Sequence, residues 1–382
     1  MDILRDIRVS RAPLAALAVI GLCWGSFAAI LPQLKSDLGL GDAQLGVILL
    51  AAAMGALVAM FLAPRAEAAA PRLGLTFAGL VVGFAIMPLG MMATVAGFTI
   101  VLIAMGTATG MLDILGNARI SRLEAQHDLS LMNLNHACYS FAYALAALLT
   151  GMARDAQVGP GLWFMAIGIA ILVVSGLTYS HRLSDGAGGT PQASRGAIGL
   201  HAWLAGLVVL IGFFVENATE GWSALHIERT LNGDAVQGAL GPAMLGLTMG
   251  IGRLSGHLLT VRGSEMTILR WAALIASVGL LIAAVAPVPL VAYVGFGLLG
   301  AGVSVVAPMA LALAGQGAAP GCRTLAVSRA AMTGYFGFFI GPPLMGFLSE
   351  AFGLRVAFGV GAAMVLIIPL LLLPRMRALR AA

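Results

Sequence analysis

Charge is what this chain lacks. Only 10% of its 382 residues are Asp, Glu, Lys or Arg, against about a quarter in a soluble domain, whose surface must face water. So few charges cannot cover a globule of this size, and lipid must be the missing solvent. Lysine is nearly absent: Lys35 is the only one, and every other fixed positive charge is arginine. A nucleotide-binding P-loop needs a lysine behind a glycine-rich turn. Lys35 sits in Leu34-Lys35-Ser36 without that lead, so any uphill work must draw on an ion gradient or on another subunit. Cysteine is scarce too. Cys23, Cys138 and Cys322 are odd in number and widely spaced, which offers neither a disulfide framework nor a zinc site. No metal or cofactor is expected. The net charge of +5 is no nucleic-acid signal, because the basic residues form no patch interleaved with aromatics.

What is present is apolar length. Hydrophobic residues make up 60% of the chain and glycine contributes 50 residues, the composition of helices that approach closely in a bilayer. A spanning helix needs about 20 apolar residues. Such runs, broken by Pro, Gly and charge, fall near 13–34, 44–63, 72–92, 96–118, 131–152, 160–180, 201–225, 237–259, 267–286, 288–314, 323–349 and 353–373. The first run is longer than a signal-peptide core and is read as a retained span. The longest polar stretch, within 181–200, reads as a linker between an N-terminal bundle over 1–180 and a C-terminal bundle over 201–382. Placing both termini in the cytoplasm puts sixteen of the 21 basic residues on that side. Lys35, Arg154, Arg229 and Arg355 fall opposite, and Arg253 lies inside the eighth span. That bias follows the positive-inside rule. The halves echo each other at a spacing of 195: Leu45-Gly46 with Leu240-Gly241, Met54-Gly55 with Met249-Gly250, and Gly151 with Gly346. The fold expected is an all-α membrane protein of about twelve transmembrane helices in two pseudo-symmetric six-helix bundles.

Three stretches carry a resemblance to a known family. The first is Gly110-Met-Leu-Asp113-Ile-Leu-Gly-Asn117. The second is Phe214-Val-Glu216-Asn217-Ala-Thr-Glu220-Gly-Trp222, continuing to Gly250-Ile-Gly-Arg253-Leu-Ser-Gly256. The third is Thr333-Gly-Tyr335-Phe-Gly-Phe-Phe-Ile-Gly341-Pro342-Pro343-Leu-Met-Gly346. With these the chain resembles the major facilitator superfamily, in particular its fucose-permease-like branch of bacterial inner-membrane transporters. That resemblance implies alternating-access transport of a small solute, plausibly a sugar or related metabolite, by a monomer coupled to protons. Two departures stand out. The loop between spans two and three offers Arg65 and Arg72 but not the family's Asp, and the first span has Cys23, Trp24, Ser26 and Gln33 where the branch has an acid. The loop latch is therefore expected to be looser or differently built.

Ionisable groups in hydrocarbon cost about 2.5–3.5 kcal/mol each on insertion scales, so the few present are site candidates. Asp113 is the deepest acid. Asn117 shares its helix face, since i and i+4 align, and His136 enters the fifth span at similar depth. Asp113 is expected to accept the coupling proton with these two as polar partners; the alternative is a neutral Asp bonded across a helix pair for packing. Glu216 lies about 22 Å along its span from His201 and is expected to face the cavity with Asn217 and bind proton or substrate. Glu220, one turn on, is an external gate or a solvated end residue. Arg329 either snorkels to the cytoplasmic face or pairs with Asp113 or an anionic solute. Arg253 resembles a structural latch. Trp24 and Tyr335 either stack on a sugar face or pack. Pro342-Pro343 should break or kink the eleventh helix and so provide a hinge.

Two motifs are set aside. Gly295-Phe-Gly-Leu-Leu-Gly300 matches a dinucleotide fingerprint but lies inside an apolar helix with no preceding strand. Glycines four apart, such as Gly21/Gly25, Gly106/Gly110 and Gly337/Gly341, read as close helix contacts. Three functions compete. A proton-driven efflux pump for amphipathic compounds would favour an acid in the first span, which is missing. A membrane-embedded enzyme would need clustered His, Asp and Glu at one face, whereas the six histidines are scattered.

Overall fold

The computed structural model describes residues 3–179, 199–260, 264–318 and 322–381. After a short amphipathic helix, Ile3–Val9, come the long helices, numbered here in order: α1 (Arg11–Asp37), α2 (Asp42–Ala69), α3 (Gly74–Met91), α4 (Val95–His127), α5 (Met132–Asp155), α6 (Pro160–Thr178), α7 (Leu200–Thr230), α8 (Ala235–Thr260), α9 (Glu265–Val285), α10 (Pro289–Gln316), α11 (Arg323–Phe352) and α12 (Leu354–Leu379). Eleven of them are both long and apolar enough to cross a membrane. The remaining one, α8, has 26 residues, or about 39 Å of helix, and is diluted by its glycines and Arg253. Most boundaries follow the apolar runs within a few residues, but α2 and α12 run six residues and α4 nine residues past the expected ends. The linker expected over 181–200 lies outside the described residues, save its last two positions.

Local chemistry sets the helix ends. Pro160 and Pro289 open α6 and α10, where a missing N–H costs nothing. The hydroxyl of Thr94 caps α4 by accepting from the Gly97 N–H at 3.2 Å, and Ser264 caps α9 by accepting from the Thr267 N–H at 3.3 Å. Gly39 and Gly353 take positive φ, 61° and 82°, and turn the chain sharply between α1 and α2 and between α11 and α12.

Proline acts differently in two helices. The tenth span is interrupted: helix runs over Pro289–Val303 and resumes at Val306–Gln316. Pro308 explains this, because it has no N–H for the Ser304 carbonyl one turn back and its ring crowds that carbonyl. Of the break or kink expected at Pro342-Pro343, the break does not occur. The eleventh helix runs as one helix from Arg323 to Phe352. Packing supports the helix at this point, with the Pro342 carbonyl seated on Gly46 of α2.

Phe77, Phe84, Ile100 and Val173 are 60–71% exposed and form part of the lipid-facing surface. Inside, α1 packs on α5, α2 on α4 and α3 on α6. In the later half α7 packs on α11, α8 and α9 on α10, and α9 on α12. Two seams join the halves, α5 on α8 and α2 on α11. The glycines of the 195-residue echo lie largely on these seams. A Cβ on Gly46 would strike the Pro342 carbonyl and Gly346, and one on Gly346 would strike the Asp42 carbonyl and Gly46. A Cβ on Gly151 would strike Ala239. The spacing carries Gly46 to Gly241 and Gly151 to Gly346, so each seam maps onto the other. The echo is partial: Gly250 sits under the Phe141 ring across a seam, whereas Gly55 packs on α4 within its own half. Where α1, α5 and α8 meet, Ala29, Ala147, Ala239 and Ala243 form a separate small-residue core.

Candidate functional site

Two polar layers cross the apolar interior. The first is central. Asp113 of α4 accepts a hydrogen bond from the Asn117 amide at 2.9 Å, as the one-turn spacing requires. The Asn117 carbonyl oxygen lies 3.0 Å from Nε2 of His136 on α5. On the same face of α5, one turn along, stand Tyr139 and Ser140. Arg253 of α8 donates across the seam to the Ser140 hydroxyl at 2.6 Å and to the His136 carbonyl at 3.3 Å. Its other nitrogen meets Glu216 of α7 at 3.2 Å. The Tyr139 hydroxyl donates to Glu220 of α7 at 3.4 Å, and the Arg253 guanidinium lies 6.0 Å from the Tyr139 ring centre. A run of polar groups thus reaches from α4 through α5 to α7 and α8.

The sequence candidates divide accordingly. Asp113, Asn117, His136, Glu216 and Arg253 meet in this layer. Arg253 is no isolated latch, since it bonds to Glu216 and across the seam. Glu220 is no solvated end residue; it is partly buried and faces α5. Asn217 turns its carbonyl oxygen toward Gly341 of α11, where that oxygen is buried without a partner. Trp24 packs edge-on against Phe27 at 5.7 Å. Tyr335 is 41% exposed beside Phe213 and Phe338. Arg329 is exposed and enters none of the ion pairs found among the described residues.

The second layer lies at the end of the bundle opposite the chain termini, here called distal. Arg154 of α5 clamps Glu228 with both terminal nitrogens, at 2.6 and 2.9 Å, and also donates to the Ala29 carbonyl. Arg229 clamps Asp42 of α2 at 2.6 and 2.5 Å and donates to Ser349 of α11 at 3.1 Å. Ser349 also bonds to Asp42, and Lys35 stands 3.1 Å from the same carboxylate. Glu350 accepts from the Ala43 N–H at the start of α2. Two-pronged charge-assisted pairs of this kind are among the stronger polar contacts. Glu228 and Arg229 are adjacent yet serve different seams, because α7 ends in a π-helical turn, His226–Thr230, which re-aims successive side chains. A cavity of about 180 Å³ at the other, proximal end is lined by Asn133, Arg253, Glu265, Ser304, Pro308 and Met309. The halves are thus tied at the distal end, beside a cavity of about 370 Å³ lined by Lys35, Glu228 and Arg229, and another cavity reaches Arg253 from the proximal end.

The expected acid of the loop between α2 and α3 has a counterpart. Glu67, at the end of α2, pairs with Arg122 of α4, and Arg119 donates to the Pro71 carbonyl at 3.2 Å. Sequence reading missed Tyr139, Ser140, Asp42 and Glu228. The first two carry a local signal, sharing the face of His136. The latter two are paired with residues 187 and 74 positions away. Among the described residues no cluster of His, Cys, Asp or Glu could hold a metal ion.

Two helix bundles with echoing seams, bonded at one end and carrying ionisable groups between them, are the architecture of a membrane transporter. The family model for the Major Facilitator Superfamily matches residues 13–318 and 255–382, and the chain belongs to that superfamily. It is 27% identical over 355 residues to an uncharacterized MFS-type transporter of Yersinia pestis, covering 92% of this chain and 91% of the relative. It is 26% identical over 339 residues to the membrane protein MosC of Rhizobium meliloti, covering 87% and 82%. Among solved structures, a bacterial homolog of the human lysosomal transporter Spinster, inward-facing and unoccupied, superposes with a TM-score of 0.76 at 16% identity over 98% of both chains. The E. coli fucose:proton symporter superposes with a TM-score of 0.62 at 18% identity over 98% and 99%. At such identities the likeness is one of fold.

Proposed function

We propose that this transporter moves a small polar organic solute across a bacterial inner membrane by alternating access, coupled to protons and acting as a monomer. Residues 1–180 and 201–382 form its two moving bundles, joined by a cytoplasmic linker over 181–200, with both termini in the cytoplasm. The distal layer is then the outer gate, closed here, and the cavity at Arg253 opens inward.

The observation that carries this reading is the polar run Asp113–Asn117–His136, continued across the seam by Arg253, which pairs with Glu216 in its own bundle. Among the described residues Asp113 is bonded to an amide and to no guanidinium, so in an apolar setting it is the carboxyl free to exchange the coupling proton. Arg253 is shared between the halves, so rocking them apart must break either its bonds to α5 or its pair with Glu216. A proton on Glu216 then competes with the Arg253 guanidinium for one carboxylate, so proton binding loosens the group that spans the seam, which is what coupling needs. The fucose:proton symporter named among the structural neighbours makes proton coupling compatible with this fold.

The test uses proteoliposomes. An imposed pH gradient should drive saturable accumulation of a radiolabelled solute chosen by thermal-shift screening, and a protonophore should collapse it. Asp113→Asn should lower gradient-driven accumulation at least tenfold while sparing exchange at equal pH. Wild-type accumulation by Asp113→Asn would sink Asp113 as the proton carrier.

A further inference from the structure

The central layer is unbalanced in charge. Asp113, Glu216 and Glu220 bring three carboxyl groups, and the one guanidinium hydrogen-bonded there, Arg253, meets Glu216 at 3.2 Å. Asp113 is served by the Asn117 amide. Glu220 has the Tyr139 hydroxyl at 3.4 Å, a long bond for a charged acceptor. Beside it stands an unused polar group. Tyr143, one turn on from Tyr139, is 1% exposed, and its hydroxyl has no hydrogen-bond partner. The two tyrosine rings lie 6.1 Å apart.

The frame around these groups is tight. Gly21 and Gly25 of α1 bring that helix directly onto the backbone at Tyr139 and Tyr143, and Gly246 of α8 leaves room for the Tyr143 ring. A buried phenol without a partner is normally avoided, because the lost hydrogen bond is not replaced. Its retention next to a carboxyl group that lacks a cation suggests that something else completes both.

We propose that Glu220, Tyr139 and Tyr143 form the subsite for a positively charged nitrogen of the transported solute, which is therefore an organic ammonium compound. This rests on the transporter reading above. A cation there neutralises Glu220, and phenol ring faces attract cations. The idle Tyr143 oxygen can accept an N–H. An anionic solute would add to the excess of negative charge, and a neutral one would leave Glu220 uncompensated. Asp113 is set apart from this subsite: it bonds to an amide on its own helix, which suits proton exchange. Glu220 lies between Arg253 and the outer gate, so an ammonium group bound there is held until the halves rearrange.

The test is binding to the purified full chain in detergent, followed by thermal shift and by calorimetry. The probes are choline, phenethylamine and an amino sugar, set against fucose, glucose and gluconate. The ammonium probes should raise the Tm and the last three should not. Glu220→Gln should weaken ammonium binding at least tenfold without lowering the Tm of the unliganded protein much, Glu220→Asp should recover part of it, and Tyr143→Phe should weaken it about threefold. The proposal is overturned if no ammonium probe binds, if neutral or anionic probes bind instead, or if Glu220→Gln binds ammonium as the wild type does. Glu220 serving only as a proton carrier is the last of these outcomes. Proton-driven uptake measured separately in proteoliposomes tells that failure from failure of the transporter reading.

Discussion

Arg253 is the residue on which both halves depend. It bonds to Ser140 and His136 on α5 and to Glu216 on α7, and each partner is buried or partly so. Removing one member of a buried ion pair leaves the other uncompensated, at a cost of about 3–5 kcal/mol. Arg253→Met should therefore destabilise the protein by that order, and adding Glu216→Gln should recover much of the loss. A double-mutant cycle on unfolding in detergent reads the coupling, and a coupling below about 0.5 kcal/mol would mark the pair as incidental. Part of this cluster was legible beforehand. Asp113 and Asn117 sit one turn apart, and ionisable residues are conspicuous in apolar runs. The role of Arg253 was not, because its partners lie 113 and 37 positions away. Nothing in its helix announces them.

At the level of elements, apolar length and proline placement anticipated nearly all the helix ends, since these are local effects. Two proline effects went the other way, one local and one tertiary. Pro308 interrupts α10 where its runs looked continuous, while Pro342-Pro343 leaves α11 whole because α2 packs against it. That packing leaves no space at Gly46, whose missing side chain faces the Pro342 carbonyl and Gly346. Gly46→Val should force the α2–α11 seam apart. The expected result is at least a tenfold loss of transport with the protein still folded, checked by uptake alongside gel filtration. Gly159, which has open space around it, is the control: Gly159→Ala should transport normally.

For the whole molecule, the distal layer decides which end is closed. Arg154–Glu228 ties α5 to α7, and Asp42–Arg229–Ser349 ties α2 to α7 and α11. Each pair stabilises the distal-closed arrangement alone, so weakening both shifts the population toward the distal-open one. With about 1.4 kcal/mol per factor of ten, a combined loss of about 3 kcal/mol moves the equilibrium over a hundredfold. Arg154→Ala with Arg229→Ala should lengthen the distance between spin labels placed on the distal ends of α2 and α11; an unchanged distance would show the layer to be decorative. Conversely, Asp42→Cys with Ser349→Cys, in a background lacking Cys23, Cys138 and Cys322, should halt transport when oxidised and restore it on reduction. Charge counting placed Lys35, Arg154 and Arg229 on one face from the sequence. Their pairing across the halves had no local signal.

The scarcity of lysine has a practical outcome. Lys35 is the sole side-chain amine, its side chain is 15% exposed, and it is held against Asp42 in the distal layer. An acylating reagent that cannot cross lipid, applied to intact cells, would find this one ε-amine only if the distal end faces outward. It would find it faster whenever Asp42 lets go. The native chain thus carries its own chemical clock, whose modification rate reports both which way the protein is threaded and how often its gate opens.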